Sequence, residues 1–316
     1  MIDPFSSEMH GAMREIRTYH DVVGGVDEDV VAQVGALQDR LSARLSPVQR
    51  IVVVASGKGG VGKSAVAANL AALLADTGAR VGAVDADLSG PSLARMLGAR
   101  AEPCQVAEDG VHPAAGAHGV RVMSMDLLVE DETPLRWRDP PGGTAPEFLR
   151  QSLLETGALR EFLADTIWGP LDYLIIDAPP GTDKIVRLLQ LLPRIDLLLL
   201  VTTPAEIARF VVAKAVRLAV DAGVTQVGLV ANMTTHVCTA CGHSSPLFDA
   251  DGAHRLADSA NVPLWAEVPF DARVAAFTDA GRPFALVLPE TAPARELRRL
   301  AARVAAVPPL QQAAPS

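Results

Sequence analysis

A glycine-rich stretch near residue 60 carries the spacing of a phosphate-binding loop. Residues 57–64 fit the pattern G-x-x-x-x-G-K-[ST], in which glycines let backbone N–H groups turn inward around an anion. In such a loop the lysine, Lys63, reaches the β- and γ-phosphates, and the hydroxyl of Ser64 ligates Mg²⁺. The candidate nucleotide-binding residues are Gly57, Lys58, Gly59, Gly60, Val61, Gly62, Lys63 and Ser64.

The residues on either side of the loop have the composition that phosphate binding requires. Residues 51–55 are mostly β-branched and predict a strand, whereas residues 65–75 are rich in helix formers. A helix that begins directly after the loop points its unpaired N–H groups and its positive dipole end at the phosphates. This context distinguishes the stretch from a glycine-rich hairpin with an incidental lysine.

Two more segments place carboxylates where a bound nucleotide needs them. Residues 171–177 form an apolar run that ends in Asp177, and a carboxylate there is costly unless it meets a cation. Asp177 therefore suits the Walker B role, which is to hold Mg²⁺ directly or through water. Asp85 and Asp87 follow another predicted strand, and an ordinary capping turn is the alternative for this pair. We expect Asp85 to support the hydration shell of Mg²⁺ and Asp87 to orient the attacking water.

A cysteine pair is the third chemical feature. Cys238 and Cys241 are spaced C-x-x-C, with His236 and His243 on either side. The residues leave four interpretations: a redox dithiol, a zinc knuckle completed by the histidines, two unbound thiols, or half of a four-thiolate site in a dimer. The last interpretation, which suits a [4Fe–4S] cluster, is favoured because the phosphate loop holds a second lysine, Lys58, which is more positive charge than the phosphates of one subunit require.

The rest of the chain alternates strand-like and helix-like runs. The predicted strands span 51–55, 80–85, 120–125, 171–177, 197–202, 227–232 and 263–269. The predicted helices between them span 65–75, 91–97, 146–155, 159–168, 183–192, 205–222 and 253–260. This alternation predicts an α/β fold with a doubly wound, mainly parallel sheet, which binds ligands at the carboxyl ends of its strands.

The two ends of the chain differ from this alternating part. Residues 1–47 predict an N-terminal arm that is partly helical, at 29–45, and too short for a domain. Residues 48–307 predict one P-loop ATPase domain that includes the C-x-x-C loop. Residues 308–316, rich in Pro, Ala and Gln, predict a disordered tail.

Composition argues against several partners. The chain has 316 residues, and its net charge of −9 argues against a nucleic-acid partner. No apolar run reaches the length of a membrane span, and the first residues lack the features of a signal peptide. Segment 295–304 has a basic face, but we expect it to pack on the sheet, without stable membrane association. Three cysteines exclude a disulfide framework and favour a reducing, cytoplasmic location.

The order of the motifs resembles that of the Mrp/ApbC proteins, which are P-loop ATPases that bind and transfer iron–sulfur clusters. The resemblance covers approximately residues 50–289. The motifs that carry it lie at 56–64, 84–92, 122–125, 177–182, 201–204, 232–233 and 238–241. The pattern K-G-G-x-G-K-S also resembles the deviant Walker A loop of the MinD/ParA/nitrogenase-iron-protein class, which implies a SIMIBI/MinD-like P-loop NTPase fold.

The resemblance implies a function and a set of residue roles. It implies an ATPase that binds ATP, Mg²⁺ and a [4Fe–4S] cluster, with ATP hydrolysis controlling transfer of the cluster. The cluster would lie on a homodimer, with scaffold proteins and apo iron–sulfur proteins as its donors and recipients. Lys58 is implied to contact the nucleotide of the facing subunit, and Cys238 and Cys241 to ligate the cluster. Asn232 and the loop 269–270 are implied to lie near the adenine.

The chain departs from the family at several positions. Thr239 stands where the family usually has proline, Asp183 and Lys184 replace a usual Gly-Asp, and Cys104 has no recognised counterpart. Two other functions therefore stay open: a MinD/ParA-like positioning ATPase, and an ATPase that inserts nickel or zinc. A positioning ATPase leaves the cysteine pair without a role.

Overall fold

The structure is a computed structural model that describes residues 28–101, 104–128, 147–238, 241 and 243–309. Its helices are α1 (Glu28–Leu45), α2 (Lys63–Asp76), α3 (Leu93–Met96), α4 (Glu147–Asp165), α5 (Thr182–Leu191), α6 (Ala208–Asp221), α7 (Gly252–Ala260), α8 (Arg273–Asp279), α9 (Phe284–Val287) and α10 (Ala292–Ala305). Its strands are β1 (Val48–Ala55), β2 (Val81–Asp85), β3 (Gln105–Ala107), β4 (Gly110–His112), β5 (Ala114–Ala115), β6 (Arg121–Met123), β7 (Leu171–Asp177), β8 (Leu197–Thr202), β9 (Val227–Val237), β10 (Ser244–Pro246) and β11 (Leu264–Phe270).

The central sheet is mainly parallel, which confirms the predicted fold class. Within the described ranges its strands run in the order β10-β9-β8-β1-β7-β2-β6-β5, and β11 also pairs with β9. The short strands β5 and β10 pair antiparallel, and the other pairs are parallel. Because parallel strands end at the same edge, the register brings the end of β2 beside the end of β7, where Asp85 pairs with Asp177.

Helices cover both faces of the sheet, which makes the fold doubly wound. One face packs against α2, α9 and α10, and the other packs against α1, α4, α5, α6 and α7. Strand β8 is buried at every position, as expected of a parallel strand covered on both sides. The core is built largely from Ala, Val, Leu and Ile, because the chain holds few aromatic residues.

One pair of predicted helices is a single helix in the structure. The sequence predicts separate helices at 146–155 and 159–168, whereas α4 runs without a break through both segments and ends at Asp165. Gly157 lies between them, and a lone glycine costs a helix interior only about 1 kcal/mol. The continuous helix is therefore compatible with the sequence, and it packs on the same face of the sheet as α1.

Three elements near the carboxyl edge differ in length from the prediction. The predicted helix 91–97 is the single turn α3, whose start is set by two backbone N–H groups bound to Asp85. Strand β6 ends before Ser124, whose hydroxyl accepts a hydrogen bond from the Asp126 N–H (3.3 Å) in a 3₁₀ turn. Strand β9 runs past its predicted end at Asn232, because β10 folds back and pairs with it.

The described part of the predicted N-terminal arm is α1, whose Leu41 and Leu45 are buried in the core. Helix α10 buries its apolar face against the sheet, as expected for segment 295–304. Residues 1–27 and 310–316 lie outside the described residues, so the domain boundaries stay predictions. In the described part of the chain, no helix combines the length and the apolar character needed to cross a bilayer.

Candidate nucleotide and cluster site

The phosphate-binding loop joins the end of β1 to the start of α2 at the carboxyl edge of the sheet. Gly60 (φ 78°) and Gly62 (φ 82°) lie in the left-handed region, which glycine adopts without a steric penalty. Helix α2 begins at Lys63, and the N–H of Val66 donates to the carbonyl of Gly62 (3.1 Å). The helix therefore presents its N-terminus at the loop, as an anion site requires.

A buried ion pair lies next to the loop. The Lys63 ammonium donates to the carboxylate of Asp177, and it lies 3.2 Å from the hydroxyl of Ser64. Both charged side chains are buried, and Asp177 Oδ2 has no hydrogen-bond partner among the described residues. Burial raises the pKa of Asp177, although the charge of Lys63 acts in the opposite direction.

The oxygen atoms beside Lys63 suit a magnesium ion. Mg²⁺ takes hard oxygen ligands, and in phosphate sites it is held by one or two protein groups together with waters and phosphate oxygens. The unpartnered Oδ2 of Asp177 and the hydroxyl of Ser64 are oxygens of this kind. The donor set therefore fits Mg²⁺, and the assignment of these two ligands stays a prediction.

Asp85 and Asp87 lie in different environments after β2. Asp85 is buried, and its carboxylate accepts hydrogen bonds from three backbone N–H groups of the following segment (2.7, 2.9 and 3.1 Å). Burial, followed by the nearby charge of Asp177, raises the pKa of Asp85 to about 7. Asp87 is half-buried, and its charge also acts on Asp177. The structure thus brings the carboxylates of Asp85, Asp87 and Asp177 together. The hydrogen bonds of Asp85 also fix the conformation of the segment after β2.

Neighbouring strands brace the phosphate loop. The amide of Asn232, buried in β9, donates to the Val61 carbonyl at 2.8 Å. The N–H of Gly181, in the segment after β7, donates to the Ser56 carbonyl at 3.1 Å. Asn232 therefore holds the loop itself, and its implied place near an adenine stays a prediction.

Lys58 lies in an exposed part of the loop. Its carbonyl accepts a hydrogen bond from the Ser56 hydroxyl (2.9 Å), and its side chain is exposed. At the start of the neighbouring helix α6, Ile207 is 73% exposed and Phe210 is 69% exposed. We call these two apolar residues the α6 patch. A cationic side chain and an apolar patch thus lie on elements that meet at the phosphate loop.

The cysteine pair lies in the turn between β9, the strand that holds Asn232, and β10. Cys238 is half-buried and its N–H donates to the His243 carbonyl (2.9 Å), whereas Cys241 is exposed. Among the described residues, no three His, Cys, Asp or Glu side chains come close enough to hold a metal ion. Among these described residues of a single chain, the two cysteines therefore do not form a zinc knuckle with His236 and His243. Thr239, between the cysteines, lies outside the described residues.

Segment 269–270 and Cys104, both singled out from the sequence, lie in separate parts of the fold. Phe270 ends β11, and its ring centroid lies 6.1 Å from that of His236. Segment 269–270 therefore adjoins residues 235–246, the hairpin of β9 and β10 that holds both cysteines and that we call the cysteine hairpin. Cys104 is half-buried, and its Sγ lies 3.7 Å from the Sδ of Met123. Burial raises the pKa of the Cys104 thiol, which is the environment of an unreactive structural cysteine.

Sequence reasoning misses three residues that contact the site and support it. Ser56 bonds the loop, Ser124 lies 3.5 Å from the Asp85 carboxylate, and Val211 of α6 contacts the loop at Gly57. Ser56 has a weak signal, because it directly precedes the loop. The other two have none, since their contacts depend on how distant elements pack.

The fold and the site define the class of the protein. A glycine loop that ends in Lys-Ser at the carboxyl edge of a parallel sheet, with a buried aspartate on the next strand, characterises P-loop nucleotide-binding proteins. The profile of the ParA family, described as NUBPL iron-transfer P-loop NTPases, matches residues 47–305. The chain belongs to this family of iron-transfer P-loop NTPases.

Relatives agree with this assignment. The chain is 36% identical over 274 residues to an iron-sulfur cluster carrier protein of Saccharolobus solfataricus, covering 86% of this chain and 88% of the relative. It is 38% identical over 264 residues to the iron-sulfur cluster carrier protein of Escherichia coli K12, covering 83% of this chain and 68% of the relative.

Solved structures place the fold in the same group. A nucleotide-binding protein of Archaeoglobus fulgidus, in complex with ADP, aligns with a TM-score of 0.65 at 33% identity, covering 78% of this chain and 92% of that one. The cell division ATPase MinD of Pyrococcus furiosus aligns with a TM-score of 0.53 at 24% identity, covering 81% of this chain and 98% of that one. The second likeness concerns the fold alone.

The approach of α6 to the loop generates a test of the loop geometry. A Cβ placed on Gly57 would lie 1.9 Å from Cγ1 of Val211. Val211 is β-branched and helical, so it has one strongly preferred rotamer and cannot turn away without strain. We predict that Gly57→Ala displaces the loop and weakens nucleotide binding about 10-fold or more, as overpacking costs of 1–3 kcal/mol imply.

The matched control removes the obstructing methyl group. Val211→Ala in the Gly57→Ala background is expected to restore the dissociation constant to within about 3-fold of Val211→Ala alone, since the two sites are directly coupled. Titration with a fluorescent nucleotide analogue measures all four proteins. Equal affinities for Gly57→Ala with and without the second substitution would contradict the contact.

Proposed function

We propose that this protein is an ATP-dependent carrier of iron–sulfur clusters. Two copies would hold one [4Fe–4S] cluster through Cys238 and Cys241 of each chain and pass it to apo-proteins, under the control of ATP hydrolysis. The observation that carries the proposal is strand β9, on which Asn232 braces the phosphate loop and which leads directly into Cys238. The relatives named iron-sulfur cluster carrier proteins support this cargo.

The nucleotide site offers the groups that hydrolysis of ATP requires. Lys63 and the loop N–H groups would bind the triphosphate, Ser64 and Asp177 would hold Mg²⁺, and Asp85 would contact it through water. Mg²⁺ supplies counter-charge to the phosphate oxygens. Asp87 would orient the attacking water. The water oxygen bonds to the γ-phosphorus, the bond from that atom to the β–γ bridging oxygen breaks, and ADP and phosphate leave with both of the water's protons on the phosphate.

The α6 patch supports a homodimer in which two phosphate loops face each other. Large apolar side chains that are about 70% exposed are stabilised when a second protein surface covers them. The patch is flanked by Glu206 and Arg209, whose charges are 3.8 Å apart in one chain. A two-fold interface brings the same patch of both chains together, so each charge beside the apolar centre has an opposite charge available on the facing chain. In such a dimer Lys58 would stabilise charge that develops on the facing nucleotide.

The cysteine hairpin supports a cluster shared between the two chains. Iron–sulfur clusters of the [4Fe–4S] type are held by four cysteine thiolates, and each chain offers two at the end of β9. Transfer is an exchange of ligands: acceptor thiolates replace Cys238 and Cys241 on iron, the released thiolates take up protons, and no electron moves. Loss of the γ-phosphate would relax the segments after Asp87 and Asp177 and thereby alter the hairpins.

The cysteine assignment is tested by anaerobic reconstitution of Cys238→Ser with iron and sulfide. We expect the wild type to bind iron and sulfide in equal amounts and the variant to lose most of both, together with the thiolate-to-iron absorption. Cys104→Ser is the matched control, because Cys104 is half-buried elsewhere, and it should bind as the wild type does. A wild type that keeps nickel or zinc from purification and takes up no sulfide, or an unchanged Cys238→Ser, would overturn the assignment.

The dimer assignment is tested by Phe210→Asp. Burying a phenylalanine contributes about 1.5–3 kcal/mol, so the dissociation constant of the ATP-bound dimer should rise roughly 10- to 100-fold. Val220→Asp is the matched control, because Val220 is 58% exposed and lies at the opposite end of the same helix, away from the phosphate loop. Analytical ultracentrifugation with ATP and Mg²⁺ measures both. Equal effects of the two substitutions would argue against an interface at the α6 patch.

A further inference from the structure

A glutamate on α4 contacts both segments that flank the nucleotide site. The Ser89 hydroxyl donates to Glu155 Oε1 at 3.3 Å, and the Lys184 ammonium lies 3.5 Å from Glu155 Oε2. Glu155 is held in place, since its side chain is only 17% exposed. Each of its two oxygen atoms therefore binds a different segment at the carboxyl edge of the sheet.

The two segments carry the groups on which hydrolysis would depend. Ser89 lies two residues after Asp87, the candidate water-orienting residue, and belongs to the segment after β2. Lys184 lies in the first turn of α5, just after Gly181, whose N–H binds the phosphate loop at Ser56. Glu155 thus links the position of Asp87 to the segment that follows Asp177.

The free space around Glu155 is small. A cavity of about 30 Å³ lies between α4, α5 and the segment after β2. It is lined by Ser89, Pro179, Leu159 and Leu188 in addition to Glu155 and Lys184. A cavity of this size holds about one water molecule. The contacts of Glu155 are therefore a mechanical link between protein segments rather than part of a second binding site.

The neighbouring ion pair on α5 is weaker. Asp183 Oδ1 lies 3.6 Å from the ammonium of Lys214 on α6, but the two side chains are 82% and 58% exposed. Exposed pairs of this kind contribute little, because water and salt screen them. The pair of Glu155 and Lys184 is better shielded from solvent. Unlike the pair of Asp183 and Lys214, it also contacts the segment after β2, through Ser89.

We propose that Glu155 is a positioning residue for ATP hydrolysis, which couples the segment after β2 to the start of α5 through Ser89 and Lys184. This inference rests on the proposed ATPase function. Without the link, Asp87 samples more positions relative to the bound phosphates, so turnover falls. The phosphate loop keeps its own contacts, so the affinity for ATP changes little.

The kinetic test compares Glu155→Ala with Glu296→Ala in the whole chain of 316 residues. Glu296 is the matched control, because it is a similarly shielded glutamate (25% exposed) paired with arginine on α10. We expect Glu155→Ala to lower kcat about 5-fold, within the range of coupling effects, and to change KM less than about 2-fold. Glu296→Ala should leave both unchanged. Equal kinetics for the two variants, or a rise in KM alone, would overturn the inference.

Reversal of the ion pair separates coupling from a general loss of structure. Glu155→Lys combined with Lys184→Glu restores opposite charges, and a serine hydroxyl can accept as well as donate a hydrogen bond. The double variant should recover at least about half of the kcat that Glu155→Lys loses, as expected of directly interacting sites. Additive losses in the double variant would contradict the link.

A measurement that needs no turnover distinguishes this inference from the proposed ATPase function. Amide hydrogen exchange with bound ADP is expected to protect segments 86–93 and 178–186 together in the wild type. In Glu155→Ala, protection should fall in both segments. A wild type that hydrolyses no ATP but shows this dependence on Glu155 would refute the ATPase function and retain the coupling. Unchanged exchange in Glu155→Ala would refute the coupling.

Discussion

The buried ion pair between Lys63 and Asp177 is the constraint around which the site is arranged. Each charge loses several kcal/mol of hydration on burial, about as much as a marginal fold can tolerate, so neither is stable there without the other. Asp177 nevertheless keeps one oxygen without a partner among the described residues. A bound triphosphate would give Lys63 a more highly charged partner and leave Asp177 for Mg²⁺. Within the protein, each of the two buried charges is thus compensated by the other.

Strand β9 connects the phosphate loop to the cysteines. Its Asn232 binds the carbonyl of Val61 in the phosphate loop, and Cys238 follows six residues later, about 20 Å away at the usual strand rise. Between them Met233 has a positive φ (57°), and β11 shifts its register at the same place. The backbone of β9 thus runs without a break from the residue that binds the loop to the hairpin that carries the thiols.

The local parts of this arrangement are predictable from the sequence, and the connections between them are not. Apolar runs define the parallel strands, and the glycine pattern defines the phosphate loop, because both signals lie within a few neighbouring residues. The contacts of Asn232 with Val61, and of Glu155 with Ser89 and Lys184, join residues far apart in the chain. No spacing rule reports such pairs. The extension of β9 escapes prediction for the same reason, since it depends on pairing with β10.

In the proposed function, two chains close over nucleotide and share one cluster. Native mass spectrometry of the anaerobically reconstituted protein, with ATP and Mg²⁺, tests this arrangement because it weighs chains, nucleotides and cluster in one particle. We expect a principal species of two chains with two nucleotides, four iron and four sulfide. A cluster retained on single chains, or nucleotide-bound dimers that never carry iron, would contradict it.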